Sequence, residues 1–322
     1  TVLLAFSALG GAAAPLFVPL AGIGTALSLR GGRGDLVLVR RGLTVMAFGY
    51  LLSLLTPSWF TLRSWFVLHV MGAAILSAPL WRRFGVRGRL ALAALVVAAT
   101  PLIQTWLDTP ASLSNDRMAL KPPFDGLPGG HLRVAFAEGQ FPIFPWLAMF
   151  LVGMAAGSMI AADDRRGLRR LAVAVLAIGL ALAALGYADR LLPDVPLFTS
   201  LLWRRAFALP LGFFPATASV IVLLQSVVLW LLLAALAVDE RTPYDRRAWI
   251  VALGRSSLTL LLVHVVVFRE LTRPLGLWQA LEAEEALAVI GLWLVLCGTL
   301  ARAWEKVGYR YGAEWLLRKI AG

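Results

Sequence analysis

The chain is short of the residues that do chemistry. It has one cysteine and three histidines in 322 residues. Cys297 has no partner for an intrachain disulfide and cannot build a thiolate metal cluster; inside an apolar run it reads as a small buried residue. The histidines never take an HxxxH-type spacing and the acids near them are scattered, so no metal site is expected. No P-loop and no GxGxxG fingerprint occur, the GIG at 22–24 lying in an apolar run with no strand before it, and there is no GxSxG elbow. Charge is scarce as well: 15% of residues are charged, against about 25% in an ordinary soluble domain.

What fills the chain is apolar length. Hydrophobic residues make up 60% of it, in runs long enough to cross a ~30 Å hydrocarbon core, which takes about 20 helical residues. The runs are continuously apolar, not alternating, which excludes a β-barrel. The fold class expected is all-α: a polytopic transmembrane helical bundle of about nine spans, near 1–29, 36–56, 64–81, 89–107, 141–162, 168–187, 212–238, 248–268 and 286–304. No soluble domain is left over.

The net charge of +12 is not a nucleic-acid signal, because the basic residues recur at every second connection. Loops after spans one, three, five and seven, with the C-terminal tail, hold 21 of the 30 Lys and Arg and 8 of the 18 acids; the other loops hold 9 and 10. The two faces therefore carry +13 and −1. The positive-inside rule accounts for the whole excess and makes the Arg-rich face and the C-terminus cytoplasmic. The chain is expected in the bacterial cytoplasmic membrane with the bilayer as its main partner, no nucleic acid, and room for a homo-oligomer. Because span one would start outside, one more helix is expected upstream of Thr1.

Two connections on the far face are long. The one at 108–140 carries Pro110, Pro122, Pro123, Pro128, Gly126, Gly129 and Gly130 with Asp108, Asp116, Asp125, His131 and Glu138, which reads as an ordered lid of turns. The one at 188–211 carries Trp203, Arg204 and Arg205 amid apolar residues, a pattern that returns to the interface. Pro15 and Pro19, followed by Gly22 and Gly24, are expected to kink or break span one near mid-membrane, and broken helices border cavities. In the tail, Trp315, Leu316 and Ile320 beside Arg318 and Lys319 suit an interfacial helix. No internal repeat of the transporter type is found.

His69 and His264 lie inside apolar runs, each on the order of 7 Å beneath the far face at 1.5 Å per residue. Ionisable groups in a bilayer are functional suspects; the competing reading is a ring packed among helices and bonded to a carbonyl. His131 belongs to the lid, where a histidine is often merely solvated. Histidines under a polar lid, with arginines on the opposite face, suit transfer across the membrane. Phosphates of an acyl-CoA would dock on arginines, and a neutral histidine would deprotonate an acceptor or take the acyl group.

The runs APLFVPLAGIGTALSLRGGRG at 14–34, RRGLTVMAFGYLLSL at 40–54, FVLHVMGAAIL at 66–76 and FPIFPWLAMFLVGMAAGSMI at 141–160 resemble the catalytic domain of heparan-α-glucosaminide N-acetyltransferase and its bacterial relatives. GRSSLTLLLVHVVVF at 254–268 and YRYGAEWLLRKI at 309–320 are similar to a bacterial membrane domain of uncharacterised function that often follows it. The division is 1–187 for the acyltransferase-like part and 188–322 for the C-terminal part, packed as one bundle. The resemblance implies acyl transfer, with acetyl-CoA or another acyl-CoA as donor, to an extracytoplasmic sugar, glycan or glycolipid. It makes His69 and His264 supporting catalytic residues, the family's main catalytic histidine being expected upstream. Substrate-binding candidates are His131, Trp146 and Asp125; those for the donor's phosphates are Arg40, Arg41 and Arg255; no metal is called for. The competing functions are a transporter or flippase for a small or lipid-linked substrate and a non-catalytic membrane subunit.

Overall fold

Apolar runs punctuated by arginine, glycine and proline fold here as helices, and no strand occurs among the described residues. A computed structural model describes residues 2–109, 130–209, 216–245, 248–278 and 280–322, with side chains from Pro15 onward. The main helices are α1 (Val2–Arg30), α2 (Asp35–Leu55), α3 (Val67–Trp81), α4 (Val86–Trp106), α5 (Ile143–Ala161), α6 (Arg165–Leu185), α7 (Ala218–Arg241), α8 (Trp249–Arg255), α9 (Ser257–Val266), α10 (Ala283–Glu305) and α11 (Ala313–Ala321).

The bundle is built round α5, whose Trp146, Met149, Phe150, Leu151 and Met154 are fully buried. Lipid and leucine are equally apolar, so membrane helices associate by close packing where small residues let backbones approach. That rule fixes the neighbours. A methyl group at Gly153 would lie 2.2 Å from the Pro19 carbonyl oxygen and one at Gly22 the same distance from that of Phe150, which presses α1 onto α5. Gly42 and Gly72 bring α2 and α3 together in the same way: a Cβ on Gly72 would meet the Gly42 oxygen at 2.8 Å. Arg89, 8% exposed, ties the Arg-rich ends together by donating to the Trp81 carbonyl at 3.1 Å and to Ser158 Oγ at 2.8 Å. It thereby satisfies a carbonyl that the end of α3 leaves open.

Several expectations need correction. Among the described residues six helices are long and apolar enough to cross a membrane, or seven with one bent pair, and not nine. Val67–Trp81 has only 15 residues, about 22 Å of helix, because the preceding stretch turns aside as a buried aromatic cap containing Phe60, Trp65 and Phe66. The break does not fall in α1, which continues as helix through Pro15 and Pro19. It falls between Trp249–Arg255 and Ser257–Leu271, which meet at 75°.

The tail helix is docked more than it floats. Glu314 accepts the Leu258 and Thr259 amides at 2.6 and 3.0 Å, capping the start of α9 as a carboxylate does at a helix N-terminus. The Gly322 oxygen accepts from Arg33 at 3.0 Å. Leu317 turns inward against the core, leaving Leu316 and Ile320 exposed.

Candidate functional site

The first turn of α3 carries the most enclosed histidine. His69 has no exposed surface, and its Nδ1 accepts the Phe66 amide at 3.3 Å. A nitrogen that accepts carries a lone pair, so the neutral ring holds its proton on Nε2. That Nε2 is buried without a partner among the described residues. The ring fits because residue 49 is glycine: a Cβ there would stand 3.0 Å from Nε2.

Aromatic rings enclose the imidazole. Tyr50 meets it edge-on with centroids 4.5 Å apart, Phe66 at 4.6 Å, and Trp65 stacks at 5.4 Å. The hydroxyl of Tyr50 is hydrogen-bonded to His131 Nε2 at 3.2 Å, and His131 also faces Trp65 at 6.0 Å. The sequence alone treats His69 and His131 separately, whereas Tyr50 and Trp65 join them. Neither aromatic stands out as a candidate in the sequence, although a tyrosine near the end of the apolar run of α2 is a signal, since its hydroxyl needs a partner when buried.

The far-face segment 130–141 is fastened over this cluster. Gly139 lies so close to Trp65 that a Cβ would sit 3.0 Å from its carbonyl oxygen, and that oxygen accepts the Gln140 amide at 3.1 Å. Glu138, 2% exposed, pairs with Arg133 at 2.6 Å and accepts from Thr109 at 3.2 Å. Arg205 donates to the Thr109 carbonyl and pairs with Asp108 at 3.6 Å. These charges hold the stem of the long connection. Asp125 lies outside the described residues. Trp146 stands fully buried on α5, edge-on to Phe141 at 4.7 Å, and its indole N–H has no partner among the described residues.

His264 belongs to another wall. Its Nδ1 is 3.0 Å from the Leu260 carbonyl oxygen; a carbonyl only accepts, so Nδ1 carries the proton and Nε2 of the neutral ring has the lone pair. The two histidines are thus opposite tautomers. The segment after α9 reaches the aromatic cap: Glu270 accepts the Ser58 amide at 3.1 Å, and Arg269 lies over Trp59 at 5.2 Å and Trp278 at 4.2 Å.

Between α1, α2, α3, α9 and α11 lies a cavity of about 230 Å³. Arg41 and Thr25 line it toward the Arg-rich face, with Leu317 of the tail helix. Its α3 wall includes Leu68, beside His69, and its α9 wall includes Leu261, one turn before His264. Neither histidine itself lines the cavity. Of the three arginines that are candidates for phosphates, Arg41 alone does so; Arg40 is exposed on another side of α2, and Arg255 pairs with Glu305 at 3.3 Å. Among the described residues there is no group of three His, Cys, Asp or Glu that could hold a metal ion.

Comparison with known proteins gives a family for most of the chain. The family model of the heparan-alpha-glucosaminide N-acetyltransferase catalytic domain matches residues 3–191. No curated protein and no solved structure matches the chain.

Proposed function

The chain belongs to the heparan-alpha-glucosaminide N-acetyltransferase catalytic family, and on that premise we propose that it carries an acetyl group from acetyl-CoA on the Arg-rich, cytoplasmic face to an amine or hydroxyl of a sugar, glycan or glycolipid on the other face. The observation that carries this reading is the cavity that starts at Arg41 and ends within one turn of both His69 and His264. It runs along α1 from Thr25 to Phe17, about 12 Å of helix.

In this reading Arg41 holds a phosphate of the donor, whose thioester arm lies along the apolar wall of Phe17, Leu20 and Met71. The acceptor enters beneath the 130–141 segment, guided by His131, Tyr50, Trp146 and Asp125 of the long connection. As the acceptor attacks the thioester carbon, its proton passes through one bridging water to Nε2 of His264, one turn beyond the lining residue Leu261; the carbon–sulfur bond breaks and the CoA thiolate leaves, taking up a proton in turn. His69 offers an N–H at Nε2, not a lone pair, so it serves as a positioning residue that keeps Tyr50 and Trp65 in place.

The test is donor binding. Acetyl-CoA added to the full-length protein in detergent raises Tm, and Arg41→Gln abolishes the rise while Arg40→Gln keeps it. No rise in the unmodified protein, or an equal rise in both variants, overturns this route for the donor.

A further inference from the structure

A second, larger cavity opens on the opposite side of α5, between α4, α6 and α7, and has a volume of about 670 Å³. That is within the range of sites for small molecules, roughly 300–1,000 Å³. Its walls are apolar, with Ala94, Val97, Met149, Val175 and Ile221 among them, and Gln225 is the one polar side chain in its lining among the described residues. Gln225 is 3% exposed, and both its amide nitrogen and its amide oxygen are buried without a partner among the described residues. Leaving a buried amide unpaired costs on the order of 1–3 kcal/mol. The side chain is thus placed for a ligand with a hydrogen-bonding group inside an otherwise hydrocarbon chamber.

The cavity has a charged end. Ala174 lines both it and an adjoining groove whose other walls are Arg166, Arg169, Arg170 and Val173. The three arginines are exposed, and none has an ion pair among the described residues; the neighbouring Arg165, by contrast, pairs with Asp163 and Glu240. The depth of Gln225 follows from packing. Gly179 of α6 lies against Leu223 of α7, so in this antiparallel pair Gln225 stands near the level of residue 177. That is roughly seven residues beyond Arg170, or about 10 Å.

We infer that this cavity and groove together bind one anionic phospholipid from the leaflet on the Arg-rich face. Its phosphate rests on Arg166, Arg169 and Arg170, one acyl chain fills the chamber, and the ester carbonyl accepts from the Gln225 amide. Each part of such a lipid meets its complement: anion on guanidinium, hydrocarbon on alanine, valine and leucine, and an acceptor at the depth of the unpaired donor. Basic clusters at that face attract anionic lipid in general; the adjoining chamber with its amide is what makes this one a site. The proposal is independent of the acetyl-transfer reading, because it uses the other side of α5.

Native mass spectrometry of the full-length protein in mild detergent, titrated with phosphatidylglycerol or phosphatidylcholine of the same chains, tests it. The anionic lipid is expected to form a one-to-one adduct at concentrations roughly tenfold lower than the zwitterionic one. Replacing the three exposed arginines together (R166Q, R169Q and R170Q) removes that roughly tenfold preference and leaves the phosphatidylcholine adduct unchanged. Gln225→Leu, close to the native volume, weakens both adducts roughly fivefold. Equal binding of the two lipids by native and triple-substituted protein overturns the proposal. So does a thermal stabilisation by inorganic phosphate that depends on the three arginines and occurs without any lipid adduct, which marks the groove as a simple anion site.

Discussion

Tyr50 and His131 are hydrogen-bonded at 3.2 Å across the far-face end of α2, and the same tyrosine ring packs edge-on against His69. One phenol therefore couples a histidine of the long connection to a histidine sealed in the bundle. Tyr50→Phe keeps the ring contact and deletes the bond. It is expected to raise KM for the acceptor roughly fivefold, the worth of about 1 kcal/mol, with KM for acetyl-CoA unchanged. Steady-state kinetics with each substrate varied in turn checks this.

The opposite tautomers of the two buried histidines predict different responses to substitution. His264→Gln replaces a lone-pair nitrogen with an amide that cannot take a proton, so kcat is expected to fall by roughly 10²-fold or more with little change in Tm. His69→Ala empties a fully buried site and leaves the Phe66 amide unpaired. It is expected to destabilise by roughly 2–4 kcal/mol. His69→Gln, whose side-chain oxygen can still accept that amide, regains part of the stability. Thermal unfolding in detergent, run beside kcat, separates the two cases.

The α1–α5 contact gives a packing prediction with its own control. Gly153→Ala puts a methyl group 2.2 Å from the Pro19 oxygen, which the backbones must move apart to admit, at a cost of roughly 1–3 kcal/mol. Gly24→Ala, on α1 itself, meets nothing within 4 Å and is expected to be neutral or slightly stabilising. Unfolding midpoints of the two variants are the measurement.

Glu314 holds the tail helix under α9 by accepting two amides and the Thr259 hydroxyl. Glu314→Ala is expected to lose about 1 kcal/mol of capping and to loosen residues 309–322. Limited proteolysis, read by mass, shows this as faster cleavage within the tail while the rest of the chain stays intact.

The helical bundle was legible because apolar length and arginine placement are one-dimensional signals. The span count was not, since it depends on where the chain turns. Residues 64–66 read on paper as the start of the third span, yet the helix begins only at Val67, because Trp59, Phe60 and Phe66 stack on one another at 4.5 and 4.3 Å and fold as a cap. The proline pair at 15 and 19 looked like the break; the 75° bend sits instead at Ser256. There α9 is restarted by Glu314, which caps Leu258 from 56 positions along the chain, a link no local pattern reveals. His69 and His264 were visible as polar residues in apolar runs, whereas Tyr50, Trp65 and Gln225 matter only through what stands beside them. Arg40, Arg41 and Arg255 look alike in sequence, and helical phase and Glu305 distinguish them.

The most direct measurement is acetyl transfer in sealed vesicles containing the full-length protein, with labelled acetyl-CoA supplied only to the Arg-rich face and an amino-sugar acceptor only to the other. Labelled acetyl-sugar on the acceptor side, lost in His264→Gln and weakened through donor KM in Arg41→Gln, is the result predicted. Acceptor that crosses the membrane unmodified, with no label transferred and no acetyl-CoA bound, contradicts the account and makes the protein a transporter.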